Sequence, residues 1–160
     1  MMQMHRVSGT GETALLAAAR VLMGEYAAMP HTAVRWTTAA TDIAALPHPF
    51  LPPGGVLLVA TDGDEPVGCG ALTVFDAPQI AEIKRVYVRP SARGRGAGDA
   101  IMRALLGEAS RLGYARVRLD TAPELLAAQA LYQRLGFEPI PQYRHGMLPH
   151  DPCFERDLRA

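Results

Sequence analysis

The spacing of apolar residues changes several times along the chain, and each change predicts an element. Between residues 12 and 29, Leu15, Leu16, Ala19, Leu22, Met23 and Tyr26 recur at helical spacing. Met2 to Val7 precedes this as a short opening strand, and residues 9–12 form a turn. Thr10 or Thr13 can cap the helix, and Pro30 follows its end. Residues 31–35 read as an irregular link and residues 37–46 as a second helix. Residues 46–55 carry four prolines and hold no regular structure. Then the period falls to that of strands. Residues 56–60 and 67–75 are dense apolar runs separated by the turn DGDEP, and residues 81–89 follow after a second turn at 76–79. Short turns join these three strands into an antiparallel meander. Ile101, Leu105, Leu106, Ala109 and Leu112 restore helical spacing, and Gly113 suits the position just past that helix. Residues 116–120 are a strand, and its helical connection makes it parallel to the strand at 81–89. A helix at 124–135, a short strand at 137–140, a loop at 143–151 and a last antiparallel strand at 153–158 complete the chain.

The stretch AEIKRVYVRPSARGRGAG, residues 81–98, concentrates the chemistry. Alternation along its strand puts Glu82, Lys84 and Val86 on one face and Arg85 and Tyr87 on the other. Pro90 ends the strand. Arg93, Gly94, Arg95, Gly96, Ala97 and Gly98 then open a helix. Glycines let the backbone approach a ligand closely, a helix start supplies unpaired N–H groups, and two arginines add fixed charge. This is the composition of a pyrophosphate cradle. It is not a Walker loop, since no Lys follows the glycines. It is not a dinucleotide fingerprint either, because the order is Gly94-x-Gly96-x-Gly98.

Charge supports a small polyanion. The 160 residues have a formal net charge of zero, which argues against a general nucleic-acid binder. Yet residues 84–118 hold nine basic and two acidic side chains, and the remainder seven and fourteen. Cys69 and Cys153 lack metal or redox spacing and suit free thiols in a reducing cytosol. The N-terminal residues lack a signal-type apolar core, and no apolar run reaches the length of a membrane span, so a cytoplasmic protein is expected. The length suits one domain over residues 1–160 with its own core.

Arg93, Gly96 and Gly98 fit the pattern [RQ]-x-x-G-x-[GA], led in by Val88 and Pro90, and this stretch resembles the acetyl-CoA loop of the GCN5-related N-acetyltransferase (GNAT) superfamily. The order of elements, βααβββαβαββ, resembles that superfamily's topology. Ala128, Leu131, Tyr132, Gly136 and Phe137 match its later motif, A-x-x-L-Y-x-x-x-G-F. Many members have an Asn seven residues before the Tyr. Leu125 stands there in this chain, so no Asn contact is carried over.

The resemblance implies an α/β (α+β) fold of the acyl-CoA N-acyltransferase type. Its sheet would be mixed and mostly antiparallel with a parallel central pair, and helices would cover both faces. It implies acetyl-CoA as co-substrate and no metal. Arg93, Gly94, Arg95, Gly96, Ala97 and Gly98 would bind the pyrophosphate, and the main chain of Val86, Tyr87 and Val88 the pantetheine arm, beside Ala128 and Tyr132. Tyr132 would protonate the departing thiolate. Glu82 would act as a base through water, or would pair with Lys84 or an arginine. Lys84 and Arg85 would alternatively bind a carboxylate on the acceptor. Trp36, His48 and Phe50 are candidates for the acceptor pocket. The implied reaction is acetyl transfer to a primary amine of a small molecule or peptide, by direct attack in a ternary complex. No nucleic-acid or membrane partner is expected, and a homodimer is open. The alternatives are a non-catalytic acyl-CoA-binding module of the same fold and a transferase of another acyl group, the latter favoured by a wide pocket near Ala71 and Thr73.

Overall fold

Helix α1 (Ala14–Ala27) starts where a hydroxyl can close it: the Thr13 side chain accepts a hydrogen bond from the Leu16 N–H at 3.1 Å. The computed structural model describes residues 1–9 and 11–160, so the alternative cap, Thr10, lies outside the described residues. Leu16, Ala19, Leu22 and Met23 are the buried stripe of α1. The expected irregular link contains a single helical turn, α2 (Pro30–Ala33), because Pro30 at its first position has the right φ and needs no N–H partner. Helix α3 (Ala39–Ala45) is shorter than the pattern predicts. Asp42 turns its carboxylate back to Trp36 Nε1 at 2.7 Å and the Thr38 hydroxyl at 2.8 Å, and Leu46 leaves the helical conformation.

The strands are β1 (Met2–Arg6), β2 (Val56–Asp62), β3 (Glu65–Asp76), β4 (Ile80–Val88), β5 (Arg116–Asp120), β6 (Glu138–Ile140) and β7 (Cys153–Asp157). They form one sheet in the order β1-β2-β3-β4-β5-β7-β6. Only β4 and β5 are parallel, as the helical connection between them requires. That connection is α4 (Ala97–Arg111), whose Ile101, Met102, Leu105 and Ala109 are fully buried on one sheet face. Helix α5 (Leu126–Arg134) adds Tyr132 to the same core. Helix α1 covers the opposite face with Trp36, Leu46 and Phe50. The fold is therefore the mixed, mostly antiparallel sheet with helices on both faces that the sequence predicts. Among the described residues no helix is long and apolar enough to cross a membrane.

Two departures from regularity build the centre of the sheet. The first is a bulge. Cys69 pairs with Tyr87 and Ala71 with Lys84, so β4 spends one residue more than β3 between those pairs. The extra residue is Arg85, at φ +62°, whose carbonyl accepts from the Cys69 thiol at 3.4 Å. The strict alternation expected for residues 81–89 is therefore corrected. Val86 does not share a face with Glu82 and Lys84 but packs toward α4, while Lys84 and Tyr87 both face the α1 side. The second departure is a split. Strands β4 and β5 pair only from Ile80 and Arg116 to Glu82 and Arg118. Both run on beyond that point without pairing each other.

Candidate active site

The split opens a cleft of about 300 Å³. Residues Ile83 to Val88 of β4 form one wall and Leu119 to Ala122, from the end of β5, the other. Tyr87 and Val88 keep their pairing to β3, and among the described residues the main chain of Val86, Tyr87 and Val88 has no strand partner on the β5 side. Ala128 and Tyr132, one turn apart on α5, line the same cleft, as does Arg93 beyond the end of β4.

The glycine loop follows at the start of α4. Gly94 (φ +78°) and Gly96 (φ +83°) are left-handed, a conformation glycine takes without strain. Gly96 is the N-cap residue and offers no side-chain acceptor. The Ala100 N–H reaches the Gly96 carbonyl at 3.0 Å, so the amides of Ala97, Gly98 and Asp99 before it are the unpaired donors of the helix. A Cβ on Gly94 or Gly96 would meet nothing within 4 Å, so these two glycines serve backbone conformation, not crowding. Arg93 donates from Nε to the Val88 carbonyl at 3.0 Å, which fixes its guanidinium beside the end of β4. Arg95 is placed differently: its Nη2 lies 3.1 Å from Asp62 at the end of β2, and it does not line the cleft.

Tyr132 is the buried residue of α5, more deeply set than a position one step round from Leu131 suggests. Its ring packs against Phe137 and Phe154 with centroids 6.0 and 5.9 Å away. Its hydroxyl makes no hydrogen bond among the described residues. Burial pushes its pKa up, so the phenol keeps its proton at neutral pH.

Glu82 is buried (3% exposed) and thoroughly partnered. Its Oε2 accepts from the Tyr143 hydroxyl at 2.7 Å and from Arg144 Nη1 at 2.8 Å, and Lys84 Nζ stands 3.6 Å from its Oε1. Arg144 Nη2 also lies 3.3 Å from Asp120 at the end of β5. Burial raises the Asp120 pKa, with Arg144 pulling the other way. Burial and the neighbouring Glu82 carboxylate raise that of Tyr143.

Tyr143, Arg144, Asp120, Arg35 and Asp151 were not singled out from the sequence. Tyr143, Arg144 and Asp151 sit in and beside a loop with no periodicity, and Arg35 in a link. Only folding brings them to the split.

A second cleft, of about 310 Å³, lies on the α1 side. Trp36, His48 and Phe50, expected from sequence to shape an acceptor pocket, line it together with Thr73. Ala71 is fully buried in the core beneath. Trp36, Lys84 and Arg85 line both clefts. The Arg85 guanidinium carbon lies 3.7 Å from the centre of the Trp36 ring.

Known proteins share the family's sequence pattern and the fold. A sequence model of the acetyltransferase (GNAT) family matches residues 22–137. An uncharacterised N-acetyltransferase of Schizosaccharomyces pombe is 38% identical over 100 residues, 62% of this chain and 61% of that protein. The chain thus aligns with about three fifths of that relative's length. The crystal structure of a GNAT-family acetyltransferase from Staphylococcus aureus superposes with a TM-score of 0.76 at 15% identity, covering 99% of both chains. A GNAT-family acetyltransferase from Elizabethkingia anophelis, solved with acetyl-CoA bound, superposes with a TM-score of 0.64 at 17% identity, covering 98% of this chain and 97% of that one. At these identities the two structures speak for the fold.

Proposed function

This chain belongs to the GNAT acetyltransferase family, and we propose that it transfers an acetyl group from acetyl-CoA to a primary amine by direct attack in a ternary complex. The observation that carries this reading is the meeting at one cleft of the unpaired edge of β4, Arg93 and the uncapped start of α4 beside it with Tyr132 from the later helix α5.

The residues fit the donor. The free amides of Ala97 and Gly98, the left-handed Gly94 and Gly96, and the Arg93 guanidinium supply donors and charge for a pyrophosphate. The main-chain groups of Val86, Tyr87 and Val88 can bond an extended amide-containing arm as an added strand would. Ala128, small and adjacent, leaves room for that arm. Arg95, turned to Asp62, contributes to the basic mouth at most as long-range charge. Acetyl-CoA supplies an activated acetyl thioester to this site.

Tyr132 acts as the general acid in this reading. It is protonated, walled by aromatic rings, and its hydroxyl has no competing partner among the described residues, so its proton can go to the sulfur as the carbon–sulfur bond breaks. For Glu82, the partners favour the ion-pair role over that of a base. A carboxylate already accepting from Tyr143 and Arg144, with Lys84 alongside, holds Tyr143 and two cleft-lining cations in place. We also assign the whole of residues 1–160 to one catalytic domain.

Release of free thiol from acetyl-CoA tests the reading, with calorimetric binding of CoA measured alongside. The expected outcome is CoA binding together with amine-dependent thiol release. CoA binding without release on any amine would favour a non-catalytic acyl-CoA-binding module, and no CoA binding would end the proposal.

A further inference from the structure

Arg85 occupies an unusual position for a charged residue. It is the bulge of β4, held at φ +62°, a left-handed conformation that strains a residue with a Cβ. The result is that Lys84 and Arg85, adjacent in sequence, both stand where the two clefts meet. Arg85 is also poorly compensated. Its Nε is buried without a hydrogen-bond partner. Its nearest carboxylate oxygen, Asp42 Oδ2, is 3.8 Å from Nη2 and already accepts from Trp36 and Thr38. The Trp36 ring beneath it offers a π face but no acceptor.

The surroundings amplify this. Arg35, Lys84, Arg85, Arg93 and Arg144 line the first cleft, against Asp120 as its one lining carboxylate. Arg144 pairs with Glu82 as well as Asp120, and Arg35 with Asp151 and, at 4.0 Å, with the exposed Glu124; the Glu82 and Asp151 side chains are only 4% and 2% exposed and do not line the cleft. Glu82 and Asp151 thus stand behind the cations, and the carboxylates that reach the two clefts are Asp120 and Asp42. Arg93 belongs to the phosphate end of the proposed acetyl-CoA site, and Lys84 and Arg85 stand at the junction with only long contacts to carboxylates, 3.6 Å to Glu82 and 3.8 Å to Asp42. The second cleft continues from them over Met23, Ala45, Leu46 and Phe50, a mostly apolar lining broken by His48, Thr73 and Asp42, whose carboxylate is held by Trp36 and Thr38.

We infer that the acceptor is an α-amino acid with an apolar side chain, its carboxylate held by Lys84 and Arg85, its side chain in the second cleft and its amine turned into the first. This rests on the acetyl-transfer reading and names the substrate class of that site. An α-amino acid carries amine, carboxylate and side chain on one carbon, which is the arrangement that two clefts meeting at a cationic corner accommodate. In the reaction the amine nitrogen bonds the acetyl carbon as the carbon–sulfur bond breaks. The sulfur leaves with the electron pair and takes a proton, and the nitrogen gives one up. The products are the N-acetyl amino acid and the free thiol.

The test uses matched pairs that differ only in the carboxylate: phenylalanine against phenethylamine, and leucine against 3-methylbutylamine. Thiol release from acetyl-CoA gives kcat/KM, and calorimetry gives CoA affinity for each variant. The wild-type protein should prefer each amino acid by roughly ten- to a hundredfold, the scale of a charge-assisted contact. Arg85→Gln should erase most of that preference through KM while CoA affinity holds. Lys84→Met, on a partly exposed side chain, gives the same readout should Arg85→Gln fail to fold. Equal or better use of the decarboxylated amines, or CoA binding with no turnover of either member of a pair, overturns the inference and leaves the acetyl-CoA site standing. Absence of CoA binding overturns both.

Discussion

Arg35 clasps Asp151 through two parallel hydrogen bonds, Nε to Oδ2 at 2.9 Å and Nη2 to Oδ1 at 2.7 Å. The pair ties the link after α2 to the residue that leads into β7, and Arg35 Nη1 donates in addition to the His31 carbonyl at 2.7 Å. Asp151 is 4% exposed, so removing its partner leaves a buried charge. Arg35→Met should cost about 3 kcal/mol in chemical denaturation, and adding Asp151→Leu should return much of it, because two apolar groups replace a desolvated pair. A loss under about 1 kcal/mol for the single variant would mean that solvent reaches the carboxylate.

Tyr132→Phe keeps the ring that packs on Phe137 and Phe154 and removes a hydroxyl that bonds nothing among the described residues. The melting temperature should stay within a degree or two of wild type, and kcat should fall by about 10²-fold or more. Full kcat, with chemistry shown to be the slow step, would remove Tyr132 from the acid role. A large drop in melting temperature would make the hydroxyl structural.

Arg93→Ala removes the cation fixed at the end of β4. CoA affinity should fall by about 1.5–3 kcal/mol, that of a charged hydrogen bond to phosphate. Arg95→Ala, whose guanidinium pairs with Asp62, should weaken binding far less. Calorimetry on both variants separates them, and equal losses would mean that Arg95 swings to the ligand.

The Glu25 carboxylate takes two guanidinium nitrogens of Arg89, Nε at 3.0 Å and Nη2 at 2.8 Å, and the Tyr87 hydroxyl at 3.1 Å. The bond to Arg89 holds its pKa below the ordinary 4.5. A folded pKa below the unfolded one contributes stability that is complete above the unfolded value and is lost as pH falls through the folded value. Melting temperature should therefore decline below about pH 4.5, and Glu25→Gln should flatten that part of the profile. An unchanged acid limb in the variant would assign the loss to other carboxylates.

Gly68 faces β4 at the cleft wall. A Cβ there would lie 2.7 Å from the Tyr87 carbonyl oxygen and 2.9 Å from Ile101 Cδ1. Backbone must move to admit it, so Gly68→Ala should cost about 1–3 kcal/mol and shift the segment proposed to pair with the pantetheine arm. Both stability and CoA affinity should drop. A variant as stable as wild type would show that β4 yields freely.

What was readable from the sequence was what local chemistry decides. Helix α1 follows from its apolar spacing, α4 from the glycines before it and the stripe from Ile101 to Ala109, and β5 from the alternation of polar and apolar residues over Arg116 to Asp120. Arg93 to Gly98 stand in one contiguous motif and Tyr132 in another, so each set was visible locally, while the fold alone brings Arg93 and Tyr132 to one cleft. Pairing decided the rest. The bulge at Arg85 exists only because β3 fixes Cys69 and Ala71 against β4, and no property of residues 81–89 alone signals it. That one extra residue reverses the side chains after it, bringing Arg85 to the junction of the clefts and Val86 to the core. The partners of Glu82 come from the loop before β7, Tyr143 and Arg144, sixty-one and sixty-two residues away. A carboxylate on a strand is equally consistent with a base and with a buried ion pair. Which it becomes depends on which donors the tertiary structure brings within 3 Å, because desolvated charge is tolerated only where partners already surround it.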